Sequence, residues 1–135
     1  MSKSLVTYVG VTHPWMCDRM GHVNVRHYAA MFDDASFQIL GHIAGHDAPE
    51  SGWADVRTET EYRHETRAGA LVTIHSHVVK VGRTSITFEQ VMSGSSDGMV
   101  RAVSRTTSVR FDLEARAAIP LDDAMRHRAQ ALLTE

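Results

Sequence analysis

In the stretch Cys17-Asp18-Arg19-Met20-Gly21-His22-Val23-Asn24, an acid and a glycine turn run straight into a helical pattern that begins near Val25. A carboxylate beside a helix N-terminus pairs a base or nucleophile with free backbone amides and the positive end of a dipole, where developing negative charge is favoured. Asn24 is a good N-cap, and Gly21 lets the chain turn tightly before it. An oxygen anion forming near the leading amides, around Asn24 to Arg26, would gain roughly 2.7–4 kcal/mol per donor in a transition state. That arrangement suits acyl transfer, with Asp18 either activating water or attacking a carbonyl to give a mixed anhydride. An Asp in a D-x-x-G turn also serves simply as a turn or cap residue, so this reading needs support from the elements around it.

Those elements are legible from their periods. Leu5 to Thr12 is apolar and β-prone, whereas Val25 to about Ala44 has helical spacing. Tyr28, Phe32, Ala35, Ile39 and Ile43 form one stripe, with Asp33, Asp34, Ser36 and Gln38 off it. Gly45, Asp47, Pro49, Ser51 and Gly52 predict a stop and a loop. From Trp53 onward, Val56, Thr58, Thr60 and Tyr62 alternate with charged residues, which predicts a half-exposed antiparallel strand. Leu71 to Val81 and Thr84 to Met92 predict two strands joined at Gly82-Arg83. The turn Ser95-Ser96-Asp97-Gly98 leads into a last strand from Met99 to about Asp112, for a long meander. Pro120 is expected to start a short final helix with Asp122 and Asp123 in its first turn. No internal repeat is visible, and residues 1–135 read as a single domain.

The segment Asp18 to Asn24, together with Tyr28 and Phe32-Asp33-Asp34-Ala35, resembles the signature of the hotdog-fold acyl-CoA thioesterases of the 4-hydroxybenzoyl-CoA thioesterase type. Lys80-Val81-Gly82-Arg83-Thr84-Ser85-Ile86-Thr87-Phe88-Glu89 resembles the same family's strand-turn-strand. The likeness runs from about Val6 to about Pro120. It implies an α+β hotdog fold, an antiparallel sheet of about five strands wrapped around one long central helix, with a short C-terminal helix. It implies hydrolysis of an acyl-CoA thioester with Asp18 as the catalytic group, and His22, Asn24, Val25, Tyr28, Arg83 and Ser85 at the substrate. It also implies a site between subunits, hence a homodimer or a dimer of dimers. The exposed edge of such a sheet favours pairing independently.

Some relatives in the broader group resemble this chain but carry a histidine where it has Val25, so a mechanism needing that group is not expected here. His27 falls on another helix face. Relatives with a catalytic glutamate on the central helix have only Asp33 and Asp34 as counterparts, read as solvated or interface acids. A hotdog hydratase would need a histidine where this chain has Val23. An acyl carrier protein thioesterase and a non-catalytic acyl-thioester-binding protein are the alternatives kept.

Composition bounds the rest. With 135 residues, 43% of them hydrophobic, and a formal net charge of −2, the chain fits one domain with a moderate core and offers no electrostatic footprint for nucleic acid. The opening Met1 to Val6 lacks a sustained apolar run, and no stretch is long enough to span a bilayer, so a cytoplasmic protein without a membrane partner is expected. Cys17 is the lone cysteine, which excludes an intrachain disulfide. It precedes Asp18 in an extended segment, so the two cannot share a pocket. No cofactor is called for. Of 9 histidines, His42 with His46 and Asp47, and His75 with His77, lack a third ligand, so no metal is expected. Lys80, Arg83, Arg101 and Arg105 are candidates for coenzyme A phosphates.

Overall fold

The apolar stripe becomes helix α1 (Val25–Ala44), which buries Tyr28, Phe32, Ala35, Ile39 and Ile43 along one side. Each such large side chain contributes about 1.5–3 kcal/mol on burial. Asn24 caps the first turn by accepting from the Arg26 amide at 3.0 Å, and Gly45, at φ 89°, ends the helix in a region that costs other residues strain. Ser36 corrects the stripe: it is buried, with its hydroxyl on the Phe32 carbonyl at 2.8 Å. That local bond removes the cost of burying a hydroxyl.

The computed structural model describes residues 3–45 and 51–134. Around α1 it places strands β1 (Leu5–Val11), β2 (Ser51–Tyr62), β3 (Leu71–Val81), β4 (Ser85–Gly94), β5 (Val100–Asp112) and β6 (Ala117–Ala118), followed by α2 (Asp123–Ala131). All pairings are antiparallel, in the order β1-β3-β4-β5-β2, with the two-residue β6 on β5. One long helix on an antiparallel sheet is the architecture expected. The long meander is corrected. Only β3, β4 and β5 follow one another in space, while β2 crosses to the far edge beside β5. Its residues explain this: Asp55 to Glu59 are exposed on both faces, which suits an edge and not the middle of a packed sheet. A register shift between Asp55 and Arg57 also takes Val56 out of the alternation and leaves it 61% exposed.

Alternate residues of β3, β4 and β5 face α1, among them Val72, Ile74, Val78, Ile86, Phe88, Met92 and Ala102, all buried. A polar seam crosses this core. The buried Gln90 amide, oriented so that both ends are satisfied, donates to the Phe32 carbonyl at 3.2 Å and accepts from the Ser76 hydroxyl at 3.2 Å. Helix α2 begins at Asp123, not Pro120, because Asp122 caps it by accepting from Met125 at 2.8 Å. Leu121, Met125 and Ala129 then pack against the C-terminal half of α1.

The register gives the sheet two distinct ends. Tyr62, Ala102, Gly94 and Val72 share one, near the start of α1; Ser51, Asp112, Val109, Ser85 and Val81 share the other. Among the described residues, no helix is long and apolar enough to cross a membrane.

Candidate active site at the start of the long helix

The loop before α1 is pinned by its own backbone. Asp18 N–H donates to the His22 carbonyl at 2.9 Å, Gly21 N–H to the Asp18 carbonyl at 3.0 Å, and Asn24 N–H to the Met16 carbonyl at 2.9 Å. Gly21 sits at φ 80°, so the turn needs glycine there. Across from it, Val23 N–H donates to the Thr66 carbonyl at 2.8 Å, and His22 bridges to Arg67. The connection between β2 and β3 therefore holds the loop from the far side.

Asp18 is exposed within the single chain. Its Oδ1 accepts from the Met20 amide at 2.9 Å, an Asx turn that fixes the carboxylate and leaves Oδ2 for other partners. Cys17 faces the other way, packed against the core, as the extended geometry requires.

The leading amides of α1 are not equivalent. Asn24 N–H is spent on Met16 and Arg26 N–H on the Asn24 cap. Among the described residues only the Val25 N–H of these three has no acceptor, so the span from Asn24 to Arg26 expected to hold an oxyanion narrows to Val25. The reason is the cap itself: the side chain that orders the helix start also consumes one of its donors.

A cleft of about 220 Å³ opens here, lined by His22, Val23, Val25, Tyr28, Tyr62, Arg63, His64 and Glu65. His22 Nε2 lies 3.0 Å from a Glu65 carboxylate oxygen. The buried Tyr28 hydroxyl donates to Thr66 Oγ1 at 2.7 Å, and its ring meets Tyr62 edge-on at 5.3 Å. Burial pushes the Tyr28 phenol above its ordinary pKa, against a smaller lowering by the Thr66 hydrogen bond and the Arg101 charge. Glu65 and Thr66 escape a reading of the sequence, since they lie in a connection with no motif. The alternation that puts Tyr62 on the face of Thr58 and Thr60 is the one signal in that region.

Asp18, His22, Asn24, Val25 and Tyr28 are thus gathered at one end. Arg83 and Ser85 lie at the other end of the sheet, separated from the helix start by the 11 residues of β3, on the order of 30 Å. There the Ser85 hydroxyl lies 2.7 Å from where a Cβ on Gly82 would sit, so a side chain at that position would turn the hydroxyl aside. The Arg83 carbonyl accepts from the Leu121 amide at 3.0 Å. Arg101 is committed to Asp97 at 2.8 Å and to the Glu65 carbonyl at 3.3 Å, and Arg105 to Glu89 at 2.9 Å; Lys80 is exposed. Asp33 is exposed, at the rim of a second cleft of about 410 Å³ between α1 and the start of β2. Among the described residues no three His, Cys, Asp or Glu side chains are grouped to hold a metal, and His46 and Asp47 lie outside those residues.

Residues 11–129 match the family model described as the thioesterase-like superfamily. A betainyl-CoA thioesterase from Pseudomonas aeruginosa is 22% identical over 136 residues, covering 98% of this chain and 86% of the relative. A Thermus thermophilus thioesterase solved with coenzyme A and zinc superposes with a TM-score of 0.81 at 23% identity, covering 98% of this chain and 96% of that one. A Staphylococcus aureus protein solved in complex with CoA gives a TM-score of 0.84 at 14% identity, covering 95% of this chain and 83% of that one. At these identities the solved structures establish the fold.

Proposed function

The chain belongs to the thioesterase-like superfamily, a hotdog-fold thioesterase by that membership, and on this premise we propose that it hydrolyses an acyl-CoA thioester to the free acid and coenzyme A. The observation that carries the proposal is the Val25 N–H at the start of α1, without an acceptor among the described residues, beside a cleft that Val25 and His22 line, His22 being joined through its carbonyl to the Asp18 amide. A thioester carbonyl directed at that amide gains a hydrogen bond that strengthens as its oxygen becomes negative. Asp18 then either activates the water or attacks the acyl carbon through Oδ2, the oxygen its Asx turn leaves open. His22 and Tyr28 line the acyl-carbon side of the cleft, and Asn24 holds the helix start in register. The CoA-bound relatives support coenzyme A as the carrier, and the Pseudomonas relative acts on a betainyl thioester. Acyl carrier protein is the alternative carrier.

The reading requires a second copy of the chain. The β2 edge is exposed on both faces from Asp55 to Glu59, which in isolation invites edge pairing. A two-fold axis there would run the two β2 strands antiparallel, setting the Ser51 end of one against the Tyr62 end of the other. Ser85 and Arg83 share the Ser51 end, so the second protomer would deliver them toward this Val25 and Asp18. Arg83 then suits a coenzyme A phosphate through its guanidinium.

A panel of acyl-CoA compounds with free-thiol detection tests the proposal, on the wild-type protein and on Asp18→Asn, which keeps size and removes charge. The expected result is turnover on part of the panel and a loss of 10²-fold or more, order of magnitude, in the variant with folding intact. Binding without thiol release would favour the non-catalytic reading. Sedimentation should give a dimer or tetramer.

A further inference from the structure

The cleft holds a paired imidazole that Asp18 and Val25 leave unexplained. His22 is fixed at three points: its carbonyl accepts from Asp18 N–H at 2.9 Å, its backbone bridges to Arg67, and its Nε2 lies 3.0 Å from Glu65. Its side chain is only 22% exposed. The Glu65 backbone is held in turn, its carbonyl accepting from Arg101 Nη1 at 3.3 Å while Arg101 Nη2 grips Asp97 at 2.8 Å. A histidine kept only for packing needs no such support.

The pairing selects a tautomer. A lone pair on Nε2 would face the Glu65 carboxylate at 3.0 Å, so the ring in its uncharged form favours its hydrogen on Nε2 and its lone pair on Nδ1. Nδ1 has no partner among the described residues. His64 and Arg63 line the same cleft, but neither is joined to His22. His22 thus brings a ring nitrogen without a partner to a cleft that Val25 also lines, directly across a tight turn from Asp18.

We infer that His22, oriented by Glu65, is the proton carrier of this site: Nδ1 of His22 handles the proton of the attacking water, and Glu65 is its positioning residue. This rests on the thioesterase reading above and assigns the division of labour within it. Asp18 Oδ2 forms a bond to the acyl carbon as the carbon–sulfur bond breaks, releasing the thiolate of coenzyme A and leaving an acyl–aspartyl anhydride. Water then adds to the acyl carbon while Nδ1 takes one of its protons. The anhydride carbon–oxygen bond breaks, freeing the carboxylic acid and restoring the Asp18 carboxylate. The imidazolium returns its proton to the thiolate sulfur, so one water is consumed and one acid and one thiol are formed.

The experiment uses the full chain and one acyl-CoA that the wild-type protein turns over. His22→Ala should lower kcat by about 10²–10⁴-fold with KM changed far less, and added imidazole should restore part of the rate, since a small base can enter the space vacated. Glu65→Gln keeps the side-chain shape at an exposed position and should lower kcat by about tenfold. In the ring-nitrogen resonances of His22, it should also change a spectrum dominated by the Nε2–H tautomer into a mixture. Wild-type kcat in His22→Ala, or a loss that imidazole does not restore together with an unchanged tautomer in Glu65→Gln, overturns the inference while leaving the thioesterase reading intact. Should the wild-type protein release no thiol from any acyl-CoA, the thioesterase reading itself fails, and the tautomer measurement still reports whether Glu65 orients His22.

Discussion

The two ends of α1 are finished in opposite ways. At the C-terminal end the Gly45 amide returns to the Gly41 carbonyl at 2.7 Å, and Arg128 of α2 donates Nε to the Ile43 carbonyl at 2.6 Å. Orphan carbonyls and the negative end of the dipole thus meet a donor and a cation. At the N-terminal end the cap satisfies Arg26, but the Val25 N–H has no acceptor among the described residues, and Val25 lines a cleft. One end is closed for stability. The other keeps a donor unspent, and an unspent donor is what binding or catalysis requires.

Val25→Pro breaks this contrast most sharply. Val25 is the first residue of α1, where proline is tolerated because its missing N–H is unpaired anyway, and Asn24, with ψ 147°, already has the extended backbone that proline demands of its predecessor. The variant deletes that hydrogen-bond donor and keeps an apolar side chain at the cleft. Thiol release should fall about 10²–10³-fold, while the melting free energy stays within about 0.5 kcal/mol. Normal turnover would show that the helix start does not serve the reaction.

Arg128→Met is the mirror experiment. It keeps an unbranched side chain and removes the guanidinium that donates to the Ile43 carbonyl. The expected cost is about 1–2 kcal/mol, a drop of several degrees in Tm for a domain of this size, with kcat/KM unchanged. If activity fell along with stability, the two ends would not be separable and the division drawn between them would be wrong.

The same contrast separates the parts of the molecule that can be read from the chain alone from those that cannot. Helix α1 is legible nearly whole, because its stripe, apart from the buried Ser36, its Asn24 cap and its Gly45 stop are local signals that agree. Strands β3, β4 and β5 are legible from alternation and turn residues. The placement of β2 is not, since its exposure on both faces is a property of position in the sheet, and its bulge at Asp55 breaks the period that would reveal it. The candidate site is legible where it is local, from Asp18 to Tyr28. Glu65 and Thr66 close it from a connection remote in sequence, and no periodicity links them to His22 or Tyr28. Arg83 and Ser85 show the converse: a motif can mark residues correctly as a tight turn, with Ser85 over Gly82, yet say nothing about which end of the sheet they occupy.

Tyr28 joins the two halves of the comparison, being both a core side chain of α1 and a wall of the cleft. Tyr28→Phe removes its hydroxyl from Thr66 and should cost about 1 kcal/mol near neutral pH, with a smaller change in kcat than Val25→Pro because the hydroxyl is already engaged. Its pH dependence is the finer test. Burial raises the Tyr28 phenol, so the folded state favours the neutral form. As pH climbs past the ordinary tyrosine range, the unfolded chain ionises first. Stability fully present below the unfolded value is therefore lost as pH rises through the folded one. Tyr8 shifts the same way, through burial and then the Asp34 charge, and contributes to the same decline. Denaturant titrations from pH about 9 to about 11 should therefore show the wild-type protein losing stability more steeply than Tyr28→Phe, so that the gap between them narrows with rising pH. Parallel curves would mean that the phenol ionises as freely in the folded protein as in the unfolded chain, and that the wall it forms between helix and cleft is open to water.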